Sequence, residues 1–348
     1  MALFLDSGRS QSAVESNAAN CVTIGLVNNM PDAAVEATER QFTDLIRAAS
    51  PNAVVLLKLF AIPQVPREAG MRRALTQRYR DIAALWDTPL DGLIVTGTEP
   101  RALDLTDEPY WGPLSALVDW ARQHTASTIW SCLSAHAAVL HADGVERQAL
   151  SGKCFGVFDC RLAADHPMTQ HFPKPLWVPH SRYNDLSEQA LTSCGYKILT
   201  RSATAGVDSF AKQDGSFFLF FQGHPEYDAD TLLREYRRDA ARFLGGERAD
   251  YPATPLGYFN GEATALAEAF RARGLADRRS DLIADFPKAA LEAGLKSPWR
   301  AAAVGIYQKW IAYLTARKAD RRAVNGRLRR TWRDWPAALR RAADGSAR

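Results

Sequence analysis

The sequence holds no apolar run approaching the ~20 residues needed to cross a bilayer, and residues 1–20 lack a basic start followed by a long apolar stretch. The first absence argues against a membrane-spanning segment and the second against a secretory signal, so the expected setting is the cytoplasm. Cysteine is scarce: Cys21, Cys132, Cys154, Cys160 and Cys194 are the only five. Their odd number, and the lack of any C-x-x-C pair, speak against a disulfide framework and a zinc knuckle. Reduced thiols and no metal are expected. Repeats and low-complexity tracts are missing too. Net charge is small, +4 over 348 residues, and uneven. Between Arg317 and Arg348 eleven Lys/Arg meet three Asp/Glu, a local +8 that leaves −4 for the rest. The basicity therefore belongs to a tail. A solvated helical extension is favoured there over contact with nucleic acid or an acidic partner.

What is present is an ordinary globular composition, 47% hydrophobic and 24% charged, long enough for one large domain or two. Residues 1–20 are polar and small and read as a loose arm. A β-branched apolar run at 21–27 has strand length, and Pro31 and Asp32 open a helical pattern over 33–49. Further strands are read at 53–60, 90–97 and 128–130, with helices at 71–86 and 111–124. Such alternation predicts βα units and a parallel sheet covered on both faces. Beyond residue 150 the strands come closer together, at 155–162, 176–179, 196–200, 206–210 and 216–221, which predicts a partly antiparallel extension of that sheet. The last of these is mostly phenylalanine, as befits a central strand. It leads through Gln222 to Asp228 into a charged amphipathic helix at 229–244, and helices at 264–273 and 298–316 close the chain.

Ligands of parallel sheets sit beyond the carboxyl ends of the strands, where residues 28–30, 96–98 and Cys132 all fall. Residues 127–140 read as a short strand, a sharp turn of small residues and a helix. That arrangement presents the side chain at the turn and aims helix N-terminal amides at it. Taken alone, Cys132 is more readily a buried structural cysteine. A nucleophilic thiol needs a base and an orienter. His224 and Glu226 stand two apart after a buried strand, so in extended backbone they point to the same side, with Pro225 stiffening the pair. A carboxylate so placed fixes the imidazole tautomer and raises its basicity. By itself the pair suits a His-Pro turn with a surface glutamate; beside a cysteine elbow, a Cys132, His224, Glu226 triad is the better reading.

With these residues in place, the chain resembles the homoserine O-acyltransferases of methionine biosynthesis, the homoserine O-succinyltransferase family. The matching blocks are Asn29 to Asp32 with Glu36 to Glu39, Gly92 to Gly97, Tyr110 with Trp111, residues 127–138 around Cys132, Lys153 to Phe158, Pro179 to Tyr183, and Gln222 to Ala229 with Glu235 to Asp239. A weaker echo runs from Trp299 to Tyr313. The resemblance covers roughly residues 21–316. It implies an α/β fold of the class I glutamine-amidotransferase (flavodoxin-like) type, a mostly parallel sheet flanked by helices with a helical C-terminal extension. It implies that Cys132 takes an acyl group from an acyl-CoA as a thioester, with His224 as base in both half-reactions and Glu226 orienting it. The main-chain amides of Leu133 and Thr98 would form the oxyanion hole. Lys153, Ser181 and Arg238 match positions that hold the amino acid and its carboxylate, a task suited to arginine's planar fork. The implied substrates are succinyl-CoA, as co-substrate with no bound cofactor, and L-homoserine, and the implied assembly is a homodimer. Acetyl-CoA as donor and L-serine as acceptor are alternatives, and a non-catalytic amidotransferase-like binding protein is the alternative of another class.

Three departures stand out. The family's elbow usually reads Cys-Trp-Gly-Ala-Gln, whereas this chain has Cys132, Leu133, Ser134, Ala135 and His136. If the turn needs a positive φ at residue 134, Ser134 bears the strain. His136 is a rival base, with helix packing the favoured role. In the loop 98–101, Arg101 stands where the family distinguishes succinyl from acetyl users, and a cation there would pair with the free succinyl carboxylate. The expected organisation is a flexible arm (1–20), an amidotransferase-like catalytic domain (21–250), a helical part packed on the same domain (251–316) and a basic tail (317–348).

Overall fold

The computed structural model describes residues 2–6, 21–170 and 174–333. Strands and helices alternate through β1 (Ala2–Asp6), β2 (Cys21–Val27), α1 (Val35–Ala49), β3 (Val54–Ala61), α2 (Ala69–Arg78), β4 (Arg80–Asp81), β5 (Gly92–Val95), α3 (Trp111–His124), β6 (Ser127–Ser131) and α4 (Leu133–Asp143). Then come β7 (Arg147–Leu162), β8 (Leu176–Leu186), α5 (Glu188–Ser193), β9 (Lys197–Ser202), β10 (Gly206–Asp214) and β11 (Ser216–Phe221). Four helices follow: α6 (Thr231–Leu244), α7 (Gly261–Ala276), α8 (Lys288–Glu292) and α9 (Arg300–Arg333).

Among the described residues eleven strands join one sheet in the order β1-β3-β2-β5-β6-β11-β10-β9-β7-β8, with β4 on the free part of β3. Pairing is parallel from β1 to β11 and antiparallel from β11 to β8. The parallel half with an antiparallel extension is what the spacing of strands and helices predicts. β11 lies between the two halves, and all six of its residues are buried. One sheet face packs on α1 and α9, the other on α3 and α4. A third apolar cluster joins α6 to α7 and α8 around Tyr236, Phe270 and Trp299.

Several elements differ from the sequence expectation. Residues 2–6 are not an arm but an edge strand, in register with β3 from Ala2 opposite Val54 to Asp6 opposite Lys58. Buried Asp6 is held by Arg80 at 2.9 Å, so a charge that looked solvated ties the strand down. Residues 7–20 lie outside the described residues. The helix expected over 71–86 ends at Arg78, because Tyr79 turns extended and buries its ring. Its hydroxyl donates to Glu39 at 2.8 Å and accepts from Asn28 at 3.0 Å. No break separates residues 251–316 from the basic stretch: α9 runs on to Arg333. Trp310 donates to Ser127 at 2.8 Å beneath the sheet, and Lys318 reaches Asp91 and the Cys21 carbonyl, both at 2.7 Å. The start of the basic tail is thus part of the packed domain; residues 334–348 lie outside the described residues.

Candidate active site

β6 and β11 are parallel neighbours that end together, with Ser131 opposite Phe221. The chain leaves β6 at Cys132 and β11 at Gln222, so residues 90 positions apart emerge side by side. Cys132 has φ 54 and ψ −119, and among the described residues it is the one non-glycine with positive φ. Such a conformation costs of order 1–3 kcal/mol and persists only where the surroundings enforce it. They do so here: the Cys132 amide donates to the Phe221 carbonyl at 2.7 Å, and the Cys132 carbonyl accepts from Ala135 at 2.9 Å.

The strain therefore falls on Cys132 and not on Ser134. Ser134 is helical and fully buried, and its hydroxyl accepts from the Ser131 amide at 3.0 Å while facing the Val95 carbonyl at 2.7 Å. It braces the elbow against β5. Gly97 lies so close that a Cβ there would come within 2.9 Å of the Leu133 nitrogen. The 97–98 turn and the start of α4 thus converge, and among the described residues neither the Leu133 nor the Thr98 amide donates to any acceptor. Both line the cleft beside Cys132. Two unspent donors beside a nucleophile are the requirement for holding an oxyanion.

His224 is buried, and its Nδ1 is 2.8 Å from the Glu226 carboxylate. Its amide donates to the Pro179 carbonyl at 2.8 Å, and its ring stacks on Tyr227 with centroids 4.2 Å apart. Among the described residues Nε2 has no partner in strict hydrogen-bond geometry, although the Cys132 sulfur acts on the ring. Burial disfavours the charged ring, yet Glu226, and after it Cys132, outweigh that and hold the His224 pKa well above the ordinary histidine value. Cys132 acts on the ring both by charge and as a hydrogen-bond partner, although the pair falls outside strict hydrogen-bond geometry, a contact of the kind that tightens when substrate arrives.

His136 is no rival base. Its Nε2 lies 2.8 Å from the Gln222 side-chain oxygen. The Gln222 amide nitrogen is already committed to Val207 and Asp185, so that oxygen accepts and Nε2 carries the proton. Burial, then the charge of Arg182, pulls the His136 pKa down to about 3. The ring is a neutral strut between α4 and the strand-end loop.

Lys153 of β7, Ser181 of β8 and Arg238 of α6 form a charged cluster against the acidic residues of α6. Lys153 donates to Asp239 at 2.9 Å, and Arg238 grips the other oxygen of Asp239 through Nε and Nη2 at 3.0 and 2.9 Å. Burial alone would raise the Asp239 pKa, but Lys153 and Arg238 hold it below the usual carboxylate value. Ser181 donates to Glu235, whose second oxygen accepts from Tyr227 at 2.6 Å. Glu235 and Asp239, one helical turn apart, so tie the clamp to the ring that covers His224. Their i, i+4 spacing just after His224 was the signal for them, and it went unread as a functional feature. Lys153, Ser181 and Arg238 line the same cleft of about 340 Å³ as Cys132 and His224. Arg101 does not: it is exposed, and only its amide is engaged, by buried Glu108. Its neighbours Glu99 and Pro100 line the cleft, as does Arg147 from the start of β7, which the sequence reading passed over.

Below the His224 loop, His180 Nε2 stands 3.4 Å from Asp208. With Cys160 these residues form a buried group whose donor atoms lie within 4.8 Å of one another. The group packs under Gly223, where a Cβ would meet Asp208 at 2.5 Å and His180 at 3.0 Å. It fixes the backbone that presents His224.

A family model described as "HTS: Homoserine O-succinyltransferase" matches residues 8–321. A homoserine O-succinyltransferase of Rhodopseudomonas palustris is 50% identical over 306 residues, 88% of this chain and 92% of the relative. Those of Bradyrhizobium japonicum and Methylorubrum extorquens are 50% and 47% identical, over 84% and 85% of this chain and 90% and 88% of theirs. Among solved structures, a glutamine amido transferase from Methylobacillus flagellatus is similar at 18% identity, covering 84% of this chain and 95% of its own with a TM-score of 0.47.

Proposed function

The chain belongs to the homoserine O-succinyltransferase family, and we propose that it transfers the succinyl group of succinyl-CoA to the hydroxyl of L-homoserine through a thioester on Cys132, a step toward methionine. The observation that carries this reading is the strained Cys132 beside the buried His224–Glu226 pair, 2.8 Å apart, in one cleft with the Lys153 and Arg238 clamp.

In the first half-reaction the Cys132 sulfur, its proton held by His224, attacks the thioester carbonyl. Negative charge gathers on the carbonyl oxygen, where the Leu133 and Thr98 amides receive it; one such donor is worth about 3 kcal/mol in comparable sites. The tetrahedral species collapses with loss of the CoA sulfur, which takes the proton from the His224 imidazolium and leaves as CoA thiol. In the second half-reaction His224 removes the homoserine hydroxyl proton, the alkoxide attacks the acyl-Cys132 carbonyl, and the Cys132 sulfur is the leaving group. Glu226 holds the imidazole tautomer and offsets the ring's charge in both steps. Lys153 and Arg238 supply the positive charge for the amino-acid carboxylate, and Glu235 the negative charge for its ammonium. A free thiol nucleophile and an acyl-CoA donor both suit a reducing cytoplasm.

A two-by-two comparison of kcat/KM, with succinyl-CoA or acetyl-CoA as donor and L-homoserine or L-serine as acceptor, tests the assignment. Succinyl-CoA with L-homoserine is the expected best pair; acetyl-CoA or L-serine winning by tenfold or more overturns it.

A further inference from the structure

We infer that Arg147 is the specificity-determining residue of the acyl pocket, with its guanidinium receiving the free carboxylate at the far end of the donor's succinyl group. This rests on the succinyl transfer proposed above. Five cationic side chains line the nucleophile's cleft: Arg147, Lys153, Arg182, Arg234 and Arg238. Four have a carboxylate within ion-pair distance. Lys153 and Arg238 share Asp239, each at 2.9 Å. Arg182 meets Asp185 and Arg234 meets Asp230, both at 3.1 Å. Among the described residues Arg147 alone of the five has none. Its Nη2 donates to the Leu103 carbonyl at 2.8 Å, and its Nη1 is buried without any hydrogen-bond partner.

Glu108 and Asp104 act on Arg147 only from beyond ion-pair distance, and a guanidinium left without a contacting carboxylate on a cleft wall is matched by a ligand carboxylate that engages its fork in two places. Its place fits the acyl chain. Arg147 opens β7 and leans on the 98–110 loop through Leu103, and its charge is felt by His136, one helical turn beyond Cys132. The amino-acid clamp centres on α6, where Asp239 already neutralises both Arg238 of that helix and Lys153, which reaches it from further along β7. The cleft so has a pole of mixed charge for a zwitterion, whose carboxylate meets Lys153 and Arg238 and whose ammonium meets Glu235. It also has an unpaired pole for a substituent bearing a lone negative charge. Arg101, the sequence-level candidate for this task, is exposed and outside the cleft lining.

The test compares Arg147→Ala with the wild type on succinyl-CoA and on butyryl-CoA, which replaces the distal carboxylate by a methyl group on a chain of equal length. The expected result is that the ratio of kcat/KM values, succinyl over butyryl, falls about a hundredfold, the scale for removing one partner of a buried charge pair. The loss should sit mainly in the KM for succinyl-CoA. Equal losses with both donors would overturn the inference, because they would make Arg147 a brace for the loop at Leu103 or a contact to the CoA phosphates. Should the alanine variant fail to fold, Arg147→Gln keeps a donor for the Leu103 carbonyl and is read by the same ratio. A wild type that does not prefer succinyl-CoA contradicts the proposed function. A wild-type preference retained in the variants contradicts only the role of Arg147.

Discussion

The Cys132 amide donates to the Phe221 carbonyl at 2.7 Å, across the seam between β6 and β11. This one bond ties the candidate nucleophile to the strand that delivers the candidate base, and it helps hold Cys132 at φ 54. The elbow is strained because both strands stop at the same level, and the same coincidence puts His224 within electrostatic reach of the sulfur.

Relief of that strain is measurable. Cys132→Gly is expected to be inactive yet more stable than Cys132→Ala by about 1 kcal/mol, the strain relieved less the extra flexibility of glycine in the unfolded chain. Urea unfolding of both variants checks this; equal midpoints at equal slopes would mean that the turn imposes no strain.

Glu226→Gln is expected to lower kcat/KM on the order of a thousandfold, since the amide neither balances the imidazolium nor fixes its tautomer. It also has a stability signature. The His224 pKa is raised in the folded protein, with Glu226 the largest of the raising influences. The charged ring so stabilises the fold fully below the unfolded value of ~6.5, and this contribution is lost as pH rises through the folded value. The stability gap between wild type and Glu226→Gln should be widest just below pH ~6.5 and narrow at alkaline pH. Thermal unfolding from pH ~6 to ~9 reads it, and a gap that widens with pH contradicts the assignment.

Restoring the family's glycine at the elbow should harm this protein. Ser134→Gly removes a buried hydroxyl that bridges Ser131 and Val95 and places glycine inside a helix, for a cost of about 2 kcal/mol. Denaturant midpoints measure it; a stabilising effect would show that residue 134 carries the strain after all.

Deleting residues 320–348 is expected to leave kcat within about twofold, because the deletion spares the Lys318 contacts to Asp91 and Cys21. Lys318→Ala, by contrast, should cost about 1 kcal/mol by leaving partly buried Asp91 short of its partner. A coupled release-of-CoA assay and thermal melts separate the two effects.

The βα alternation and the aromatic strand at 216–221 made the sheet and its central strand legible, because hydrophobic period and length are local properties. Cys132, His224 and Glu226 were legible as a set for the same reason: each stands at the end of a recognisable strand. Other features were settled by partners distant in sequence. Asp6 gave no sign that Arg80 would hold it and add an edge strand to the parallel half. Tyr79 ended a helix early for the sake of Glu39 and Asn28. Arg147 looked like one basic residue among 43, and only the pairing of every other cation on the cleft sets it apart. The strain fell on Cys132 and not on Ser134 because φ at a strand-to-helix turn is set by where the two elements are fixed, which no composition of the turn reveals.

The central claim is that Cys132 carries the acyl group. Incubating the protein with succinyl-CoA alone and recording intact mass, then mapping the adduct by peptide analysis, tests it most directly. The account predicts one succinyl group on Cys132, released on addition of L-homoserine and absent in Cys132→Ala. No adduct under conditions of full turnover, together with undiminished activity in Cys132→Ala, would contradict it.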